Sequence, residues 1–200
     1  MRVTQFLILA PALLLVLSSL SCNAKEERKI YLIPVGEVEK EILDYLAFEL
    51  SCIFPYHVEI KKSLPKPGYA HNKRRNQYCA DLVLEKLKGE NPEKEDKILG
   101  VADLDLYTPG LNFVFGVASL NGKASLIALP RLRQEFYGLS ENKELYCERA
   151  VKEAVHELGH TFGLSHCKNP RCVMHFSNSL YDTDRKGKEF CKSCRKKLPF

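Results

Sequence analysis

The sequence contains no Trp and only two Met, one of them the initiator. It also has no internal repeat, no low-complexity tract and no long block of like charge. The composition excludes coiled-coil architecture. With 45% hydrophobic and 28% charged residues, wholesale disorder and collagen-like structure are excluded as well. Thirty basic residues against 25 acidic ones give a net charge of +5, spread along the chain. Such mild basicity permits a nucleic-acid partner without arguing for one. Two hundred residues hold one domain and a short targeting segment, enough to bury a core without disulfides. Against these absences, eight cysteines stand out, and their spacing matters more than their number.

The N-terminus has the layout of an export signal. Arg2 is a minimal basic tip, Phe6 to Leu20 is apolar or small, and Ser21 and Cys22 precede the first charges from Lys25. The stretch is short for a spanning helix, which needs about 20 residues. Residues 1–22 are therefore read as a signal peptide or lipoprotein signal, and the chain as exported: secreted, periplasmic or membrane-anchored. Cys22 after Ser19-Leu20-Ser21 resembles a bacterial lipoprotein box, with Ser19 where an aliphatic residue is preferred. Attachment to a membrane, through a lipid on Cys22 or an uncleaved segment, stays open.

Residues 25–200 are read as one domain, with an upper part 25–163 and a Cys-rich part 164–200. Strand and helix alternate along it. Strands are predicted at 29–35, 56–60 and 97–106, helices at 37–54 and 76–88. Strands over 113–120 and 123–129 meet at Asn121-Gly122, a strong hairpin signal. A last long helix runs from near Ser140 to Phe162, and beyond Gly163 the chain reads as loop. The expected fold class is α+β or α/β, a mixed twisted sheet with an edge hairpin packed on helices.

The chemistry is expected on that last helix. His156-Glu157-Leu158-Gly159-His160 is the H-E-x-x-H pattern. Two His four residues apart lie about 40° apart on a helix, so both imidazoles can reach one metal. Cys147, Val151, Ala154, Leu158 and Phe162 form an apolar stripe, so the helix is expected to bury one side and present its ligands on the other. Gly163 can end the helix in a left-handed turn that returns His166 as a third ligand, leaving a fourth position open. Zinc with an open position lowers the pKa of its water to about 7, and Glu157 is then the general base. A purely structural site has no need of a base beside its ligand. Gly159, inside the helix, costs about 1 kcal/mol relative to Ala, and close packing beneath the metal is its simplest explanation.

The extended pattern His156…His160…Gly163…His166 resembles the metzincin metallopeptidases. That resemblance implies a Met-bearing turn beneath the zinc, with Met174 as the candidate, and a strand within 113–120 that pairs with extended substrate. Tyr181 is a candidate hydrogen-bond donor to the transition state, as a tyrosine is in some metzincins. Cys167, Cys172, Cys191 and Cys194 continue the pattern, and together they resemble the archaemetzincin family. One fewer residue separates Met174 from Cys191 than in that family's signature. The resemblance implies a metzincin-like single domain whose C-terminal subdomain is stapled by a structural zinc on those four Cys, hence two zinc ions per chain. Two disulfides, which an exported protein favours, and a basic nucleic-acid-binding ribbon around Lys192 to Lys197 are the alternatives for those cysteines.

Function is thus expected to be zinc-dependent peptide-bond hydrolysis, inside chains or near a free amino end, by a monomer acting on a peptide or protein. Nucleic acid is the less favoured partner. The rival is a non-catalytic zinc-stabilised binding module. Cys147 reads as core, and Cys52 and Cys79 would pair only if the compartment oxidises them. His57, His175 and the cluster from His71 to Arg75 carry no motif, and only His175 lies near the Met turn.

Overall fold

The computed structural model describes residues 28–90 and 96–200. The export signal expected at residues 1–22 lies outside the described residues. The strands are β1 (Lys29–Val35), β2 (His57–Ile60), β3 (His71–Asn72), β4 (Gln77–Cys79), β5 (Lys97–Ala102), β6 (Leu106–Tyr107), β7 (Gly116–Ala118) and β8 (Ala124–Ala128). The helices are α1 (Lys40–Ile53), α2 (Ala80–Lys88), α3 (Lys143–Thr161), α4 (Leu180–Arg185) and α5 (Lys192–Arg195).

The main sheet runs β2-β1-β5-β8-β7, and a small second sheet pairs β3, β4 and β6. β2, β1, β5 and β8 are mutually parallel, while β7 runs antiparallel along β8 at the edge. β5 and β8 read as near-continuous apolar runs because helices cover both faces of the sheet. On one face, α2 places Val83, Leu84 and Leu87 against Ile33, Ile98 and Leu126. On the other, α1 and α3 bury Leu46, Leu50, Val155 and Leu158 with Val173 and Met174 of the C-terminal segment. Each such side chain stabilises the fold by about 1.5–3 kcal/mol relative to exposure. Helix α1 stops where Phe54 turns extended before Pro55, as the residue preceding a proline must.

The mixed sheet and its edge hairpin match the expected class. Four elements differ from the sequence expectations. The helix predicted from residue 76 starts at Ala80, because Asn76 takes a φ of 51° and Gln77–Cys79 pair as β4. The strand predicted over 97–106 bends after Ala102, where Asp103 and Asp105 leave the sheet to hold Arg133 and Arg131 in two-pronged ion pairs. The strand expected over 113–120 is ordered as ladder only at Gly116–Ala118, and the hairpin closes through a wider turn, with Gly122 donating to Ser119 O at 2.9 Å. Beyond Gly163 the chain is not all loop, since α4 and α5 are short helices.

The largest departure concerns α3. It is not buried on one side and open on the other. Arg149, Lys152, Glu153, His156 and Glu157 are as buried as its apolar residues, because the sheet, α1 and the C-terminal segment enclose it. Arg149, Lys152 and Glu153 are paired. Arg149 grips Asp184 through two hydrogen bonds of 2.7 Å and donates to Leu132 O at 3.0 Å. Glu153 meets Lys186 Nζ at 3.0 Å, with side chains 3% and 0% exposed, and accepts from the Thr183 hydroxyl at 3.1 Å.

Candidate active site

Helix α3 begins at Asn142, whose side chain accepts from Leu145 N at 3.0 Å, and it ends at a left-handed Gly163 with φ +85°. There Gly163 N donates to His160 O at 2.9 Å and Leu164 N to Gly159 O at 3.1 Å, a Schellman closure. The closure swings His166 back over the helix end, as the spacing predicted. The ring centroids of His156, His160 and His166 lie 4.7, 4.9 and 5.3 Å apart.

Backbone carbonyls set the orientation of two of these rings. Val173 O lies 2.8 Å from His156 Nδ1, and Leu164 O lies 2.6 Å from His160 Nδ1. With Nδ1–H donating to a carbonyl, each Nε2 carries a free lone pair. The two Nε2 atoms are 3.1 Å apart. Two nitrogens on one tetrahedral zinc would be about 3.3 Å apart, so the donor set fits that ion. The candidate ligand atoms of all three His lie within 4.8 Å of one another. Burial lowers the pKa of all three imidazoles, that of His156 furthest, and so keeps them neutral as metal ligation requires.

Glu157 is buried, and desolvation, reinforced by the nearby Glu153 carboxylate and opposed by Lys186, holds its carboxyl well above the usual carboxylate range. Gly116 of the edge strand explains how it fits. A Cβ there would lie 2.5 Å from Glu157 Cγ and 2.6 Å from Oε1, so any side chain at 116 would displace the carboxylate. Sequence reasoning missed this residue, although a glycine inside a strand is the ordinary mark of close approach. It also missed the Glu153–Lys186 pair, which joins residues 33 positions apart and has no spacing signature.

Beneath the helix, Met174 is fully buried, and a Cβ on Gly159 would sit 2.4 Å from its sulfur. The close packing expected at Gly159 is present. The same turn supports the cysteines. Cys167 N donates to Met174 O at 2.8 Å, and His175 Nδ1 bonds Cys167 O at 2.9 Å, so His175 is a strut outside the histidine cluster. Cys167, Cys172, Cys191 and Cys194 bring their sulfurs within 4.8 Å of one another as free thiols. Cys167 and Cys191 Sγ are 3.9 Å apart, against about 3.8 Å for two thiolates on a tetrahedral zinc. Asn169 N and Cys191 N donate to the sulfurs of Cys167 and Cys172 at 3.5 and 3.3 Å. Burial pushes the Cys172 and Cys194 thiols up, while the Cys194 N–H and neighbouring sulfurs bring Cys191 down to about 7. Cys52, Cys79 and Cys147 stand as free thiols, Cys147 packed against the core.

A cleft of about 610 Å³ opens over the histidines. Residues 110–118, from the approach to β7 through the strand itself, form one wall; Phe176, Ser177 and Asn178 stand beyond His166. Tyr181 does not line the cleft; it is 67% exposed, with Arg185 stacked over its ring. Its expected role is not supported by its position.

Known proteins are similar to this chain in sequence and in fold. Residues 38–199 match the family described as Peptidase family M54. The archaemetzincin of Methanocaldococcus jannaschii is 49% identical over 170 residues, covering 85% of this chain and 92% of that protein. The crystal structure of archaemetzincin from Methanopyrus kandleri superposes with a TM-score of 0.75 at 38% identity, covering 88% of this chain and 95% of its own. That of the Archaeoglobus fulgidus archaemetzincin, complexed with malonate, gives a TM-score of 0.75 at 40% identity, covering 85% and 99%.

Proposed function

Because the chain belongs to peptidase family M54, the archaemetzincins, and so is a zinc metallopeptidase, we propose a role for each residue of its two clusters. His156, His160 and His166 hold a catalytic zinc, and Cys167, Cys172, Cys191 and Cys194 hold a structural one. The convergence of the histidine Nε2 atoms beside a buried glutamate carries this reading. A zinc ion with three protein ligands and an open position supplies Lewis acidity and an activated water.

The chain's own residues do the rest. Val173 O and Leu164 O fix the tautomers of His156 and His160 before metal arrives. Glu157 takes the proton of the attacking water and delivers it to the departing amine nitrogen. Its raised proton affinity suits a group that must both accept and give a proton near neutral pH. The free edge of β7 offers backbone N–H and C=O groups to an extended peptide, which would add as a sixth strand. Met174 supports the helix beneath the ligands through Gly159.

The substrate is a peptide or protein. We read the enzyme as an exported monomer whose first 22 residues direct it out of the cytoplasm. The test of the metal assignment is zinc per chain in protein purified without chelator, with thiols labelled after denaturation in chelator and no reductant. Two zinc ions and four labelled thiols at 167, 172, 191 and 194 are expected. One zinc with those thiols unlabelled would mean a disulfide-stapled tail, and no zinc would sink the assignment.

A further inference from the structure

The C-terminal knuckle carries a group of exposed, positively charged side chains. Lys168, Arg171, Lys192, Lys196 and Lys197 are all exposed, and among the described residues none has a carboxylate within ion-pair distance. They are not scattered. Lys168, Arg171 and Lys192 each adjoin or flank a cysteine of one cluster whose sulfurs lie within 4.8 Å, and Lys196 and Lys197 follow Cys194 directly after α5. Five exposed cations thus lie within, or directly after, the segment that carries the four cysteines. None of them lines the cleft.

The start of the described chain lies beside this unit. Arg28 stacks over the Tyr56 ring at 4.9 Å, and Tyr56 meets Phe200 at 5.9 Å, three residues beyond Lys197. Phe200 also packs on Phe162 and Phe54. Five residues separate Cys22 from Arg28, a reach of about 20 Å at full extension. A bilayer holding the apolar run Phe6 to Leu20, or a lipid on Cys22, would therefore sit close to the basic knuckle. At 65% exposure, Phe48 adds an apolar side chain on α1, next to Glu49, which pairs with Lys188 of the same C-terminal segment.

We propose that the basic face of the four-cysteine knuckle is a docking surface for an anionic lipid membrane, to which the N-terminal segment tethers the domain with its cleft left open. This rests on reading residues 1–22 as an export segment that stays close to the membrane. Basic side chains add attraction to anionic headgroups within about a Debye length, and a tether removes most of the entropic cost of approach. Membrane rather than nucleic acid is favoured because the described chain starts, at Arg28, beside the end of the segment that bears the cations, and an apolar run precedes it in sequence.

The test uses the full chain and vesicles of phosphatidylcholine, with or without about one third phosphatidylglycerol. The apolar segment enters both kinds, so the difference between them reads the basic face. We expect at least about tenfold stronger partition onto the anionic vesicles, lost in about 0.5 M NaCl. The variant K168Q/K192Q/K196Q/K197Q should lose most of that preference while keeping zinc content and peptidase turnover. The double variant K196Q/K197Q, clear of the cysteine positions, should lose part of it and guards against misfolding of the first. Equal partition of the unaltered chain onto both vesicles would overturn the proposal. So would a variant that keeps its lipid preference but loses affinity for a DNA oligonucleotide. Native protein recovered from cytosol with Met1 intact would defeat the export reading instead, and the vesicle result would distinguish the two failures.

Discussion

His166 and Cys167 are neighbours in sequence, yet they belong to clusters built on opposite plans. The histidine cluster is graded, from His156 at 4% exposure through His160 to an exposed His166, and it opens on a cleft. The cysteine cluster alternates half-buried and buried residues, and none of them lines that cleft. In the first, carbonyls accept from ring N–H groups and leave nitrogen lone pairs to converge. In the second, backbone N–H groups donate to the sulfurs themselves. An open position suits turnover and a closed one suits holding. What joins them is the Met turn, bonded to Cys167 on one side and packed under Gly159 on the other.

The contrast is broken most directly at Glu157. Glu157→Gln should lower peptide hydrolysis by about 10³-fold or more while both metals stay bound, because the loss falls on proton transfer alone. Turnover within tenfold of the parent in a single-turnover assay would show that the histidine cluster works without its base. His160→Ala should cost activity together with one zinc and leave the cysteine site loaded.

The next largest effect is expected at Lys186, which spans the two regions. Removing one partner of a buried ion pair leaves the other charge uncompensated, so Lys186→Met should destabilise the fold by about 3–5 kcal/mol. Pairing it with Glu153→Leu should recover much of that loss. Denaturant titration of the single and double variants measures it; additive losses would mean that the pair does not couple helix α3 to the C-terminal segment.

A smaller effect is expected at Gly159. Alanine there gains about 1 kcal/mol of helix propensity but drives a methyl into Met174, a clash worth about 1–3 kcal/mol. The net change should be a loss of about 1 kcal/mol, relieved when Met174→Ala is added. Thermal unfolding of the two single variants and the double variant checks it. An unrelieved loss would locate the strain elsewhere.

The convergence of His156, His160 and His166 was legible in the sequence because a metal site imposes spacing: four residues on one helix, then a glycine that reverses the chain. β1 was legible in full because an apolar run buried on both faces can be little else. The limits of α2, β5 and β7 were not, because they depend on partners. Asp103 and Asp105 leave β5 to reach Arg133 and Arg131, more than 20 residues on, and no local pattern announces that. Helix α3 misled for a related reason. Its charged residues imply solvent until Asp184 and Lys186 are folded against them, and a pairing across 30 residues has no period.

Gly116 has a consequence for how a peptide would be read. Its missing side chain is replaced by Glu157, so a strand laid along β7 would run beside a backbone against which the carboxylate stands. Successive residues of that strand point alternately toward and away from helix α3. A slide by one residue would turn the presented side chain to the other face, whereas a slide by two would restore it. Choice of the scissile bond then acquires a parity, even or odd along the peptide, imposed by the pleat before any side chain is recognised.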